Sequence, residues 1–238
     1  MMRGTFTKTA SLYSGGLLLL GPLLQSCATN NLQSTPAVQS YQTPHAKVSA
    51  SDGNSDAALT VMTLNIAHGR GDSFHQLLQR SATTLANLEA IATLFQTADA
   101  DVIALQEADG PSFWSGNFNH VDYLANRASF ENSVHAPHVD GVGLSYGTAL
   151  LENLELHNAQ AITFDPVLSP IPKGFVVSTI RWPGRPCVEF DIVSIHLDFA
   201  SKSVRRQQVA ELIETLQARK RPLIIMGDLN SEWQLQDS

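Results

Sequence analysis

PLIIMGDLN, residues 222–230, is an apolar run that ends on glycine, aspartate and asparagine. Three earlier segments have the same form: LTVMTLN at 59–65, DVIALQE at 101–107 and EFDIVSIHLD at 189–198. A near-continuous apolar run is typical of a strand that is buried on both faces. Polar groups at the ends of such strands converge on the crevice at the edge of the sheet. We therefore predict that one site is formed by Asn65, Glu107, His196, Asp198, Asp228 and Asn230.

Helices are predicted between these strands. Apolar residues recur at helical spacing over about 82–97 and again after Ser201 or Ser203, either of which suits a helix cap. A shorter helix is predicted over residues 120–127. The apolar stripes consist of Leu85, Leu88, Ile91, Leu94 and Phe95 in the first long helix, and of Val209, Leu212, Ile213 and Leu216 in the second.

The remaining strands are marked by Asn, Pro and Gly punctuation. They are predicted at 146–151, 161–164, 175–181 and 188–197, with a turn at 183–186 and a loop at 109–118. Strands interleaved with two long helices indicate an α/β or α+β protein whose helices lie outside the sheets.

The amino terminus is predicted to be an export signal. Arg3 and Lys8 precede a short apolar stretch at 16–24, which is too short to span a bilayer. Leu24-Gln25-Ser26-Cys27 resembles a bacterial lipobox, so residues 1–27 are predicted to be a signal peptide with Cys27 as the lipidated residue. The alternative is a cleaved signal with an incidental cysteine. Ala28 after the cysteine resembles the outer-membrane pattern of such lipoproteins.

Residues 28–58 are rich in Ser, Thr, Gln, Asn, Ala and Pro, which predicts a disordered tether before a domain at 59–238. Lipidation of Cys27 would leave Cys187 as the other cysteine of the chain, and we expect it to be a packing residue in a strand.

The charge of the chain bears on its substrates. The net charge is −7, and it is −9 without residues 1–26, which contain two basic and no acidic residues. An acidic domain does not attract nucleic acid through its overall field, and this weighs against sequence-independent binding of duplex DNA.

The predicted site has the residue types of phosphate and metal chemistry. Glu107 and Asn65 offer a carboxylate and an amide oxygen, which are ligands of the kind that Mg²⁺ prefers. His196 and Asp198 are two residues apart, as are Asp228 and Asn230 at the end of the last strand. In extended backbone such residues point to the same side, so each pair can present two polar groups to one pocket.

The ordered set TLNI, LQEAD, SIHLD and GDLN resembles the endonuclease/exonuclease/phosphatase family, which has the deoxyribonuclease-I-like fold. Tyr146-Gly-Thr-Ala-Leu-Leu151 also resembles the glycine-led strand of that family. The resemblance implies an α+β protein with a four-layer α/β/β/α sandwich. It also implies hydrolysis of phosphate esters with Mg²⁺ or Mn²⁺ as the cofactor.

The resemblance assigns roles by motif position. Glu107 would be the principal metal ligand, and Asn65 would hold the metal or the phosphate. Of the proposed catalytic residues, His196 would hydrogen-bond a phosphate oxygen or assist the leaving group, and Asp228 would orient the attacking water or the leaving group. The remaining assignments are Asn230, which would fix a phosphate oxygen, and Asp198, which would orient His196 or reach the phosphate. Apart from these motif assignments, Tyr146 and the loop at 109–118 are expected to shape substrate specificity.

The chain departs from the family after GDLN. Family members continue with an Asp on a late strand and a Ser-Asp-His segment, whereas only residues 231–238 follow Asn230 here. We therefore expect a chain that is truncated at its carboxyl end and has low or no activity. His68, three residues after Asn65, is the best-placed substitute for the last histidine, and the alternative is a loop histidine near the mouth of the pocket.

Three functions follow from these features. The first is a metal-dependent phosphoesterase at the cell envelope, as an outer-membrane lipoprotein or alternatively a periplasmic or secreted protein. Its substrates would be small phosphodiesters or lipid head groups rather than duplex DNA, and we expect a monomer with no protein partner. The second is a non-catalytic envelope lipoprotein that keeps the fold as a binding or structural module. The third is a gene fragment without stable function.

Overall fold

Two mixed β-sheets form the centre of the protein. The computed structural model describes residues 37–43, 58–72, 80–165 and 171–231. The chain divides into two units, Met1–Gln33 and Ser34–Ser238, and all described residues belong to the second. The predicted signal peptide, Cys27 and most of the predicted tether lie outside the described residues.

The first sheet has the strand order β1-β4-β5-β3-β2, and the second has the order β6-β7-β8-β9. The first sheet consists of β1 (Gln39–Gln42), β2 (Val61–Asn65), β3 (Val102–Asp109), β4 (Asn132–Gly141) and β5 (Leu144–Glu152). The second consists of β6 (His157–Thr163), β7 (Gly174–Trp182), β8 (Arg185–His196) and β9 (Leu223–Asp228). The helices are α1 (Ser81–Ala98), α2 (His120–Ala128) and α3 (Lys202–Arg219), and a short 3-10 helix spans Ala67–Gly69.

The apolar side chains form three cores between four layers. Alternate residues of β3 point to opposite faces, so Ile103 and Leu105 pack with α1 and α2, whereas Val102 and Ala104 pack against the second sheet. The outer face of the second sheet, with Val193 and Ile195, packs against α3. The expected four-layer sandwich is therefore confirmed, with helices on both outer faces.

The predicted helices are confirmed within one or two residues at each end, although their stripes are only partly buried. Leu88 and Phe95 of α1 are buried, whereas Leu85 and Leu94 are exposed. The side chain of Ser201 accepts a hydrogen bond from the Val204 amide, so Ser201 is the cap of α3.

Three local expectations are corrected by the structure. The sequence analysis gave no strand at β4, which pairs with both β1 and β5. Residues 39–42 of the predicted tether form β1, because their backbone groups pair with residues 132–135 of β4. Cys187 lies in β8 as expected but is free and exposed, because it lies near the β7–β8 turn where the pairing is irregular.

Gly147 lies opposite two irregularities of the first sheet. The β3–β5 register shifts between Gln106 and Ala108, and the β4–β5 register shifts between Pro137 and Val139. Each shift leaves one extra residue, Glu107 in β3 and His138 in β4, with Gly147 between them. A Cβ on Gly147 would collide with the carbonyl oxygen of Ala136. The two bulges therefore require a glycine at this position of β5.

Polar contacts link the two sheets beneath the site. The Gln106 side chain donates to the Ser194 hydroxyl at 3.0 Å, and that hydroxyl donates to the Leu105 carbonyl at 2.8 Å. His138 is buried with its ring nitrogens 2.9 Å from the Thr148 hydroxyl and 3.0 Å from the Thr163 hydroxyl. These contacts fix the alignment of the sheets from which the site is built.

Candidate active site

Two pairs of parallel strands end at the same edge of the sandwich. Asn65 is the last residue of β2, beside β3, and His196 and Asp228 are register partners at the ends of β8 and β9. The Asn65 side-chain amide donates to Asp228 Oδ2 at 3.0 Å, which joins the two sheets. The predicted convergence of strand ends is therefore present in the structure.

Glu107 reaches this edge because of the bulge. Its φ of 49° lies in the left-handed region, which is uncommon for a residue with a side chain. The carboxylate lies 3.9 Å from His196 Nε2 and, through its other oxygen, 3.5 Å from His68 Nε2. His196 Nε2 is also 3.6 Å from Asp228 Oδ2, so the imidazole lies between the two predicted functional carboxylates.

Lys173 is a site residue that the sequence analysis missed. It is buried just before β7, and its Nζ lies 3.1 Å from each ring nitrogen of His196. Burial lowers the pKa of Lys173, whereas the negative charges of Glu107, Asp228 and Asp198 act in the opposite direction. A lysine directly before an apolar strand, β7, that begins at this edge was the available signal.

The Lys173 ammonium also acts on His196. Burial and the positive charge of Lys173 lower the pKa of His196 to about 4, against the opposing effect of Glu107 and Asp228. His196 is therefore neutral near pH 7, with one ring N–H to donate and one ring nitrogen to accept.

Asp198 and Asn230 lie beyond the ends of their strands. Asp198 Oδ1 accepts hydrogen bonds from the amides of Ala200 and Ser201, at 2.9 and 2.7 Å, before α3 begins. Asn230 has a left-handed φ of 47°, and its side-chain amide donates to the Leu197 carbonyl at 2.9 Å. Its backbone amide donates to Asp228 Oδ1 at 3.0 Å, which helps to hold that carboxylate. The extended i, i+2 geometry expected for both pairs is absent, because β8 ends at His196 and β9 at Asp228.

A second cluster adjoins Glu107 on the first sheet. His68 Nδ1 donates to Asp109 Oδ1 at 2.6 Å, and the Trp114 indole donates to Asp109 Oδ2 at 2.8 Å. The His68 ring lies 5.0 Å from the rings of both Trp114 and Tyr146. The structure thus places Tyr146 beside the site but in contact with His68. The sequence analysis missed Asp109 and Trp114.

The oxygen donors at the site suit a hard divalent cation. Among the described residues, no group of three or more His, Cys, Asp or Glu side chains is arranged to hold a metal ion. Two carboxylates, Glu107 and Asp228, lie here with the amide side chain of Asn65. Mg²⁺ commonly binds through one or two carboxylates and keeps several waters beside a substrate phosphate. The residues present therefore fit Mg²⁺ or Mn²⁺.

Comparisons with known proteins agree with this fold and site. The sequence profile described as "Endonuclease/Exonuclease/phosphatase family" matches residues 62–238. The chain therefore belongs to the endonuclease/exonuclease/phosphatase family. A comparison with curated proteins finds no match.

Solved structures share the fold at low sequence identity. A family protein from Beutenbergia cavernae is similar with a TM-score of 0.54 and 18% identity over 72% of this chain and 47% of its own. A family protein from Bacteroides thetaiotaomicron gives a TM-score of 0.57 and 16% identity over 75% of this chain and 65% of its own. ANGEL2, a 2',3'-cyclic phosphatase, gives a TM-score of 0.56 and 15% identity over 73% of this chain and 53% of its own.

The chain thus spans less than two thirds of the length of each of these three proteins. The predicted carboxyl-terminal truncation and the predicted lipid anchor stay predictions. Among the described residues, no helix has the length and apolar character needed to cross a membrane.

Proposed function

We propose that the chain is a divalent-metal-dependent phosphoesterase. The observation that carries this proposal is the convergence of Asn65, Glu107, His196 and Asp228 from two sheets, within hydrogen-bond or ion-pair distance of one another. Phosphoryl chemistry needs charge neutralisation, a positioned nucleophile and a polarised phosphate. This site contains groups suited to each of those tasks.

The metal would be held at the Glu107 side of the site. Glu107 is the main ligand in this proposal and Asn65 contributes its amide oxygen, which in the present structure accepts a hydrogen bond from the Ala67 amide at 2.9 Å. The bound Mg²⁺ or Mn²⁺ would supply a Lewis acid that withdraws charge from the phosphate oxygens.

The groups of the second sheet would act on the opposite side of the phosphate. Neutral His196 donates its N–H to a non-bridging oxygen, and the neighbouring Lys173 ammonium adds positive charge to the same region. Asp228 accepts a proton from the attacking water and so orients it. Asn230 supports Asp228 through the backbone hydrogen bond described above and is proposed, as the motif implies, to lie next to a phosphate oxygen.

The substrate class is proposed to be a small phosphodiester or a lipid head group. A net charge of −7 disfavours the backbone of duplex DNA. Phe113, Trp114 and Tyr146 form a row of rings beside Glu107, with centroids 6.3 and 5.3 Å apart along the row, and Phe113 is 62% exposed. Such rings offer an apolar wall for the organic part of a small ester.

The cellular location is proposed from the amino-terminal sequence. Cys27 as a lipidated residue would attach the domain to the outer membrane, and a periplasmic or secreted protein is the alternative. Labelled palmitate should be incorporated into the wild-type chain but not into a Cys27→Ser variant. Equal labelling of both chains would exclude lipidation at Cys27.

Hydrolysis of bis(p-nitrophenyl) phosphate tests the catalytic proposal. The full chain is assayed with Mg²⁺, Mn²⁺ and excess chelator, beside Glu107→Gln and Asp228→Asn. We expect metal-dependent turnover, however slow, that Glu107→Gln removes together with metal binding and that Asp228→Asn reduces by about 100-fold or more, as for loss of a catalytic acid or base. Glu214→Gln, on the exposed side of α3, is the matched control and should retain full activity. Turnover that neither site substitution changes would exclude this site.

Lys173 supports a second candidate, the non-catalytic envelope module. Its ammonium interacts with Glu107, Asp228 and Asp198, and so it offsets part of their negative charge without a metal ion. In that case the site binds an anionic ligand without hydrolysing it. Calorimetry separates the two candidates, because the enzyme binds Mn²⁺, whereas the binding module binds phosphate and no Mn²⁺.

A further inference from the structure

We infer that His68 Nε2 is a metal ligand beside Glu107, and that this nitrogen makes the site favour a first-row transition ion such as Mn²⁺ over Mg²⁺. The inference rests on the proposed function, which leaves the choice between the two ions open. It concerns a histidine that lies outside the four strand-end motifs.

The first observation is the hydrogen bonding of the His68 ring. Nδ1 lies 2.6 Å from Asp109 Oδ1, and the other oxygen of this fully buried carboxylate accepts a hydrogen bond from the Trp114 indole. A carboxylate only accepts hydrogen bonds, so Nδ1 carries a proton. Metal binding requires a neutral imidazole, whose lone pair is then on Nε2. Metal-binding histidines almost always donate their other ring N–H to a carboxylate, a carbonyl or a water.

The second observation is what Nε2 faces. It lies 3.5 Å from Glu107 Oε2, which is too long for a hydrogen bond. When Nε2 carries no proton, two electron-rich atoms face each other across this gap. Metal ions bind nitrogen and oxygen ligands at about 2.0–2.2 Å, so one ion can bridge two atoms that are up to about 4 Å apart. The gap between His68 and Glu107 therefore suits a bridging cation.

The third observation is that the ring is held in this position. Trp114 and Tyr146 contact the imidazole with ring centroids 5.0 Å away, at interplanar angles of 56° and 89°. The backbone of His68 has a left-handed φ of 57°, and the Asn87 side chain donates to the carbonyl of the next residue at 2.9 Å. Backbone strain of this kind persists only where surrounding contacts maintain it. The nitrogen is therefore preorganised toward Glu107 before any metal binds.

The ligand types decide which ion the site favours. Mg²⁺ prefers oxygen ligands and keeps several waters, whereas imidazole nitrogen suits transition-metal ions. Glu107 and Asn65 offer oxygen atoms, and His68 adds the nitrogen. No group of three or more His, Cys, Asp or Glu side chains in the described part of the chain is arranged to hold a metal. Waters and the substrate phosphate would therefore complete the coordination.

Pulsed electron paramagnetic resonance of bound Mn²⁺ tests the inference, because it detects nitrogen bound to the ion. The full chain is used without a histidine tag. We expect nitrogen hyperfine coupling in the wild type that is lost in His68→Asn. Asparagine tolerates a left-handed backbone and keeps a donor near the position of Nδ1, so this variant should fold. His157→Asn, at the end of β6 away from the site, is the matched control and should keep the coupling.

Competition between ions gives a second measurement on the same proteins. Free Mn²⁺ is followed with and without Mg²⁺, and thermal melting tests folding. Loss of an outer contact already costs about 10- to 100-fold in metal affinity, so loss of the His68 ligand should weaken Mn²⁺ binding by at least that much. Mg²⁺ binding should weaken less, because Mg²⁺ does not depend on the nitrogen. Equal losses for both ions would overturn the inference, as would nitrogen coupling that survives in His68→Asn.

Glu107→Gln keeps this test distinct from that of the proposed function. A wild type that binds no Mn²⁺ overturns both the proposed function and the role of His68. Mn²⁺ binding that Glu107→Gln abolishes, but that shows no nitrogen coupling in the wild type, supports the metal site and overturns the inference alone. In that case His68 is not a ligand, and a protonated ring between the carboxylates of Glu107 and Asp109 explains the contacts.

Discussion

The Lys173 ammonium and the His196 imidazole are in direct contact, with Nζ 3.1 Å from both ring nitrogens. The contact places a positive charge beside the group that is proposed to meet the phosphate. It also favours the neutral form of His196 together with burial. The lysine therefore influences the protonation of the histidine as well as the charge of the site.

Lys173→Met should weaken catalysis and change the titration of His196. Without the ammonium, the pKa of His196 should rise from about 4 toward the usual value, because only burial and the smaller effect of His68 would then oppose Glu107 and Asp228. Loss of a preorganised charge at a phosphate oxygen should lower kcat by about 100-fold. NMR titration of His196 and the phosphodiesterase assay measure the two effects. Lys202→Met, at the exposed start of α3, should change neither.

Gly147→Ala should destabilise the protein and displace Glu107. The added methyl group would collide with the Ala136 carbonyl between the two bulges, and overpacking of this kind costs about 1–3 kcal/mol. Urea denaturation measures the loss. Gly141→Ala is the matched control, because nothing lies within 4 Å of its added carbon, and its stability should stay within about 0.5 kcal/mol. Equal stability of both variants would show that the bulges do not need Gly147.

Glu152→Met should stabilise the protein at neutral pH. Glu152 is fully buried, neither carboxyl oxygen has a hydrogen-bond partner, and burial raises its pKa well above the usual value. A raised pKa in the folded state means that this group favours folding at low pH, and that its contribution is lost as the pH rises through the folded pKa. Removal of such an unsatisfied group should gain about 1–3 kcal/mol near and above neutral pH.

Chemical denaturation across pH tests this prediction. The stability of the wild type should fall relative to Glu152→Met as the pH rises above the ordinary glutamate pKa. Glu214→Met, on the exposed side of α3, should follow the wild type. A constant difference between the wild type and Glu152→Met at every pH would contradict the raised pKa.

His138→Gln should make the protein less sensitive to acid. Burial lowers the pKa of His138 to about 3, so the folded state resists protonation that the unfolded chain accepts. Stability is therefore lost as the pH falls from about 6.5 toward 3, and the loss amounts to a few kcal/mol at about 1.4 kcal/mol per pKa unit. Buried His135, with a pKa lowered to about 4, adds to the same trend.

Thermal melting between pH 4 and 7 measures that slope. It should be shallower in His138→Gln, which keeps hydrogen-bonding groups but does not titrate. Thr163→Val removes one hydroxyl partner of His138 and leaves the imidazole, so it should lower stability and keep the slope. An unchanged slope in His138→Gln would contradict the prediction.

The elements that were predicted well from the sequence are those whose buried side chains are apolar. Residues 102–107 and 189–196 lie in strands whose apolar side chains fill the cores on both faces, and no partner has to be known to infer this. The convergence of their ends followed because polar groups after buried strands meet at one sheet edge. The four-motif resemblance then implied the four-layer sandwich and the roles of the residues at the strand ends.

The elements that sequence missed depend on tertiary partners. Buried strand β4 contains Pro137 and two polar residues, His135 and His138, whose ring nitrogens contact Ala108, Thr148 and Thr163 of other strands. No local pattern contains those partners. Strand β1 was missed for a similar reason. Its side chains show no alternation of apolar and polar residues, and it is a strand because its backbone pairs with that of β4.

The site residues divide in the same way. Asn65, His196 and Asp228 lie at regular strand ends and were predictable. Glu107 was predicted from its motif. Its contact with His68 results from a bulge in β3, which the alternation of apolar and polar residues along the strand does not reveal. Lys173 lies in a Pro-Lys-Gly segment just before the predicted strand at 175–181, and its place beside His196 depends on the β7–β8 pairing, where Gly174 is the register partner of His196.

The hydrogen bond from Asn65 to Asp228 crosses from one sheet to the other at the proposed reaction centre. Asn65 and Glu107 therefore come from the first sheet, and His196 and Asp228 come from the second. The distances between the two pairs depend on how the sheets are stacked. A sub-ångström shift of one sheet against the other would leave every strand intact. It would still move the proposed metal ligand Glu107 away from Asp228, which is proposed to orient the attacking water. Selection for turnover would then act on interior residues far from the cleft, through the alignment they impose.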